Sequence, residues 1–163
     1  MRRTLLLGAT LGLTCLPHAV AGGAGGNPAG RPLLAATPGA VAASLQRAGY
    51  RVILNPEKPG RDPGMTVMAG PRELDLWLSG CVQGVCLRVT ASASWDYHKR
   101  LGALNPGLVN SWNSNYYTQA YIYRNRYFLD SSQMLRGGFT DTALQTWMSE
   151  YLADLQEFEQ QLP

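Results

Sequence analysis

Residues 74–93, LDLWLSGCVQGVCLRVTASA, alternate apolar and polar side chains on both sides of Gln83-Gly84. Folded there as a two-residue hairpin, the segment sets Val82 opposite Val85, Cys81 opposite Cys86, Leu78 opposite Val89, Leu76 opposite Ala91 and Leu74 opposite Ala93. One face then carries Leu74, Leu76, Leu78, Gly80 and Val82 against Val85, Leu87, Val89, Ala91 and Ala93. The other carries Asp75, Trp77 and Ser79 against Arg88, Thr90 and Ser92. A four-residue loop leaves this register unchanged. Such a division demands an antiparallel sheet with one buried face, because a slip of one residue would turn every leucine to water. The cysteines fall on the non-hydrogen-bonded pair next to the turn pair, where opposing Cα atoms approach most closely and a disulfide can form.

Whether those thiols oxidise depends on compartment. Residues 1–21, MRRTLLLGATLGLTCLPHAVA, open with Arg2-Arg3, continue with an apolar run from Leu5 to Leu16, and end on Ala19-Val20-Ala21. This is the layout of a secretory signal peptide cleaved after Ala21, with an apolar run too short to span a bilayer. Gly22 to Ala36 then reads as a flexible Gly/Pro-rich leader, and 37–163 as one folded domain. Cleavage leaves 12 Lys and Arg against 11 Asp and Glu, about +1, which removes the basic charge that nucleic-acid binding requires. The expected location is the periplasm or the medium, with no membrane span left after cleavage. Cys15 and His18 depart with the signal, leaving Cys81 and Cys86 in an oxidising compartment. A zinc site would need two further ligands, and His98 is the one histidine remaining. The spacing favours a structural disulfide over a redox pair, which more usually reads Cys-x-x-Cys, and over free thiols. No metal or cofactor is implied.

The other elements follow from caps and periodicity. Thr37-Pro38 starts a helix with Val41, Ala42, Leu45 and Ala48 at helical spacing, ended by Gly49. Residues 51–54 and 65–69 read as strands joined by a Pro-rich turn. Asn105-Pro106 starts a short helix to about Asn113, with Leu108, Val109 and Trp112 inward. Tyr116 to Tyr123 and Tyr127 to Leu129 form strands around a turn near Asn125, in a register the sequence leaves open. After the Gly137-Gly138 break, Leu144, Trp147, Met148, Tyr151, Leu155, Phe158 and Leu162 mark one face of a long helix, capped at Thr140 or Thr142. Its polar face carries Asp141, Glu150, Asp154, Glu157 and Glu159 and neither Lys nor Arg. Short strand links with helices outside them give an α+β class with an antiparallel sheet of hairpins, packed by an N-terminal, a short middle and a long C-terminal helix.

LQRAGYRV (45–52), SGCVQGVCLRV (79–89), LVNSWNSNYYTQAYI (108–122) and RGGFTDTALQTWMSEYLADLQEFEQQL (136–162), in that order, resemble the YbjN family of bacterial proteins, described as sensory-transduction regulators. The matching positions are Gly49-Tyr50, Cys81 and Cys86, Asn110-x-Trp112-Asn113, Ala120-Tyr121 and Gly137-Gly138. Where that family commonly has a basic residue after the Asn-x-Trp-Asn helix, this chain reads Ser-Asn-Tyr-Tyr. The resemblance implies a type III secretion chaperone-like fold and a regulatory, non-enzymatic role.

The chemistry-bearing side chains have two readings each. Trp112 with Asn110 and Asn113 can stack and hydrogen-bond a ligand, or fill the helix–sheet core and cap the helix. Tyr121 and Tyr123, with Arg124 and Arg126, can bind a peptide or a glycan, or pack and guard a strand edge. The acidic last helix could dock the Arg124/Arg126 strip in a homodimer. His98 is the single candidate base, and no nucleophile elbow or phosphate loop accompanies it, so no catalytic residue is assigned. The expected function is a protein- or peptide-binding role, the alternative a small-ligand or cell-wall glycan module on the tyrosine-rich strands. Cell fractionation with intact-mass measurement should find residues 22–163 in the envelope, two hydrogens lighter than the reduced chain; a reduced, full-length cytosolic protein would contradict it.

Overall fold

In the computed structural model, residues 32–56 and 58–163 are described; the expected signal peptide, its cleavage site and the leader up to Arg31 lie outside them. The elements are α1 (Pro38–Arg47), β1 (Arg51–Leu54), β2 (Gly64–Ala69), β3 (Arg72–Ser79), β4 (Arg88–Asp96), a 3-10 turn (Leu101–Ala103), α2 (Pro106–Asn115), β5 (Gln119–Tyr123), β6 (Arg126–Met134) and α3 (Asp141–Gln161). The strands form one six-stranded antiparallel sheet in the order β1-β2-β3-β4-β6-β5. This is the α+β arrangement that the hairpin and helix signals predict.

Sequence chemistry explains the local pieces. Thr37 caps α1 through Ala40 N–H (3.2 Å), Asn105 caps α2 through Gly107 and Leu108, and Thr140 caps α3 through Ala143. Gln83-Gly84 and Arg124-Asn125 both turn with positive φ at their two central residues. That is the type I′ geometry whose twist matches the strands it joins. The second turn fixes the register the sequence left open, with Tyr123 opposite Arg126 and Tyr121 opposite Phe128.

The inner sheet face gathers Met65, Val67, Leu74, Leu76, Leu78, Val89, Ala91, Tyr127 and Leu129, all buried. The apolar stripe of α3 lies on it. Phe158 packs against Trp95, Trp112 and Tyr127, Trp147 Nε1 donates to Ser131 Oγ (2.9 Å), and Tyr151 OH donates to Leu129 O (2.8 Å). α1 packs beside α3 through Val41, Ala42 and Leu45. Ala48, expected inward, is exposed because the helix ends at Arg47.

Three further expectations are corrected. The predicted hairpin register is observed from Asp75↔Ser92 to Ser79↔Arg88 and again at Val82↔Val85, and Cys81 and Cys86 are bonded. Its tip, however, does not continue the core face: Val82, Val85 and Leu87 are 71%, 45% and 40% exposed, while Cys86 is buried. Gly80 is the reason. At φ 65° it interrupts the ladder, Leu87 N–H turns to Ser79 O (3.0 Å), and the inside–outside alternation is reset. The expected leader also ends earlier than Ala36. Leu34 pairs both backbone groups with Phe139 (2.7 and 3.0 Å), and buried Ala36 accepts Cys86 N–H (2.9 Å), so this segment straps the hairpin to the start of α3. Finally, β5 begins at Gln119 rather than Tyr116, and β6 runs to Met134 rather than Leu129. Residues 116–118 are held by the helices instead.

The strap constrains Gly138. At φ 109°, a Cβ there would lie 2.7 Å from Leu34 O and 2.9 Å from Leu33 Cγ. Gly138→Ala should lower the unfolding free energy by about 2–3 kcal/mol in urea titrations. Gly39→Ala in α1, where a Cβ meets nothing within 4 Å, should be neutral or stabilising.

Candidate functional site

The connection from α2 to β5 is drawn away from the sheet. Trp112, 1% exposed, stacks on Tyr116 at 3.7 Å and donates its indole N–H to Thr118 Oγ1 (3.0 Å). The Thr118 hydroxyl in turn donates to Asp154 Oδ2 on α3 (3.0 Å), and Tyr116 OH donates to Glu157. These contacts hold residues 116–118 against the helices. Asn113 completes the corner: its amide donates to Ala120 O (3.0 Å) and accepts from Ala120 N–H (2.8 Å), the bonds a neighbouring strand would make.

β5 therefore stops at Gln119↔Asp130, four residues before β6 ends at Met134. Leu135 N–H donates to Leu87 O (2.8 Å), so by antiparallel alternation the peptide groups of Gln133, opposite Val89, also face β4. Ser132 and Met134 direct N–H and C=O the other way, where no strand of the described residues lies opposite. Beside this open edge is a cleft of about 470 Å³ between β6 and α3. Ser131, Ser132 and Gln133 form one wall, and Trp147, Glu150 and Asp154 the other. Tyr117, fully exposed, stands at its rim. The Ser132 hydroxyl is fixed by Thr90 (2.8 Å).

The cleft is acidic. Glu150, Asp154 and Glu157 follow one another along α3 without a basic side chain of the described residues within ion-pair distance, whereas Asp141 meets Arg47 and Glu159 meets Arg72 (2.5 Å each). Tyr116, at the end of the connection, is held above the usual phenol range by its hydrogen bond to Glu157, so it stays a neutral donor.

The residues singled out in the sequence separate into groups. Trp112 and Asn113 face the corner just described, with their polar atoms engaged. Asn110 is exposed on α2. Tyr121, Tyr123, Arg124 and Arg126 lie together at the β5–β6 turn, on or beside the outer sheet face. There Tyr121 and Phe128 lie parallel at 5.0 Å, Arg124 covers the Tyr123 ring at 5.1 Å, and Arg126 donates to Ser94 Oγ (3.1 Å). Cys81 and Cys86 are at the other end of the sheet, beside the strap. His98 sits on an exposed turn with its ring on Asp96 (2.6 Å) and does not line the cleft. The cleft itself escaped sequence reasoning. Its one trace is the polar run Asp130-Ser131-Ser132-Gln133, which continues a strand where apolar residues would be expected.

Among the described residues no group of three His, Cys, Asp or Glu side chains could hold a metal, and no helix is long and apolar enough to cross a membrane. Compared with known proteins, the chain matches no family model, no curated protein and no solved structure.

Near the tyrosines, burial raises Asp130 above the ordinary carboxylate range, outweighing the hydrogen bond it accepts from Tyr121. Burial, with Asp130 beside it, pushes Tyr121 up to about 12. A carboxyl raised on folding contributes stability that is complete below its unfolded value, about 3.9, and is lost as pH rises through the folded value. Asp130→Asn keeps an acceptor for Tyr121 OH (3.0 Å) and removes that loss. Thermal melts should show the variant above the parent at pH 7, with the gap closing below about pH 4.

Proposed function

We propose that this chain is an exported, non-enzymatic domain of the YbjN type, with a type III secretion chaperone-like fold, that holds a segment of a protein partner in the bacterial envelope. The disulfide between Cys81 and Cys86 fits an oxidising compartment. The observation that carries the binding role is the open cleft beside β6, where one wall is an unpaired strand edge and a solvent-exposed tyrosine stands at the mouth. Tyrosine suits such a position, since its ring supplies contact area with few rotatable bonds and its hydroxyl stays wet. His98, the candidate base, is engaged by Asp96 on an exposed turn away from the cleft, which favours binding over catalysis.

A second reading, binding of cell-wall glycan, is favoured by the stacked Tyr121 and Phe128 rings, whose planes are 4° from parallel and of which Tyr121 is 39% exposed, with Asp130 and Arg126 beside them. Sugar rings stack on such platforms and hydrogen-bond at the rim. The two readings place the ligand on different faces. A photo-reactive phenylalanine at position 117 should cross-link to a discrete envelope protein, and Glu150→Lys should abolish the adduct. No adduct at 117, together with co-sedimentation on purified peptidoglycan that Tyr121→Ala removes, would replace the first reading with the second.

A further inference from the structure

Three features converge on β6. The first is backbone. Ser132 and Met134 present N–H and C=O toward a lane that β5 has left, and the lane is open for the length of residues 131–134. On β5, by contrast, the Asn113 amide takes both outward groups of Ala120. An unpaired edge beside a cleft is the arrangement that accepts an added strand.

The second is direction of side chains. Successive residues of a strand point to opposite faces. Ser131 and Gln133 share the inner face with Leu129, toward α3, while Ser132 and Met134 point outward with Thr90 and Arg88 opposite them. A guest residue opposite Gln133 would point inward, along the wall formed by Trp147 and Glu150.

The third is charge. Glu150 and Asp154 are four residues apart on α3, and Glu157 is three further on. Like charges at these spacings repel, and none has a basic partner among the described residues within ion-pair distance. A cation entering the cleft relieves that repulsion; a second carboxylate adds to it.

We infer that the cleft takes an extended segment of a protein partner as an added strand on Ser132 and Met134, with a Lys or Arg side chain of that segment directed at Glu150 and Asp154. This rests on the partner-binding reading and specifies its ligand. The backbone edge supplies sequence-independent attachment, the acidic wall selects the basic side chain, and Tyr117 can close over the guest from the rim.

The probes are acetylated, amidated heptapeptides of alternating Thr and Val with Arg, Ala or Glu at the centre, and an Arg version N-methylated at alternate residues. Titration into the oxidised protein followed by nuclear magnetic resonance should show the Arg peptide binding about tenfold tighter than the Glu peptide, with slowed amide exchange at Ser132 and Met134. N-methylation should abolish binding, and Glu150→Gln, an exposed change with no packing role, should bring the Arg peptide down to the level of the Ala peptide. Equal affinity for Arg and Glu peptides, or shift changes confined to Tyr121–Arg126, would overturn the inference. So would silence from every peptide at about 1 mM. The partner-binding reading would survive those results if the position-117 adduct still forms, and would fall only with that adduct.

Discussion

The apolar stripe of α3 on the inner sheet face is the constraint on which the rest of the structure depends. A six-stranded antiparallel sheet with one apolar face is not stable in water until something covers it. Leu144, Met148, Tyr151, Leu155 and Phe158 do so from one helix, each fully or nearly fully buried. At about 1.5–3 kcal/mol for each large side chain removed from water, this contact outweighs any single hydrogen bond or surface ion pair in the domain. Arg47–Asp141 is half-exposed and adds little by comparison; its use is to orient α1 on α3.

Covering the sheet also shapes the cleft. α3 lies where its Asp154 reaches Thr118 and its Glu157 reaches Tyr116. Once the indole of Trp112 has also committed its N–H to Thr118, residues 116–118 cannot reach β6 as strand. An unmade partner for buried polar atoms is costly, so the connection keeps its bonds to the helices and the exposed groups of Ser132 and Met134 are left to solvent. The opening therefore arises from the same contacts that fix α2 and is not a defect of packing.

Much of this was legible in the chain and some was not, for physical reasons. The helix caps, the α3 stripe and the Cys81–Cys86 hairpin register follow from local chemistry, and each is observed. The orientation of the hairpin tip was not, because it turns on Gly80 adopting a left-handed conformation that alternation alone cannot reveal. Strand limits at 116–119 and 129–134 escape a local reading because Tyr116 and Tyr117 have strong strand propensity, and tertiary hydrogen bonds to α3 override it. Of the candidate binding residues, Trp112 and Asn113 build the corner that bounds the cleft. The cleft residues come from 117–118, 131–133 and 147–154, segments that no sequence window joins.

Edges explain why one stretch of sheet stands apart. β1 is four residues long, and β5 has its outward groups at Ala120 occupied by Asn113. Both are common ways of keeping sheets from joining each other. Among the described residues, no backbone or side-chain hydrogen bond crosses the lane beside residues 131–134, and the carboxylates on its α3 side have no basic partner within ion-pair distance. Its α3 side is a single-sign wall, Glu150 and Asp154, where the inferred guest would have to carry a basic side chain. A strand edge open to every chain would promote aggregation, while an edge filtered by charge is selective. The polar run at Ser131–Gln133 keeps the lane wet until it is filled, so the unpaired peptide groups remain hydrated rather than buried without partners.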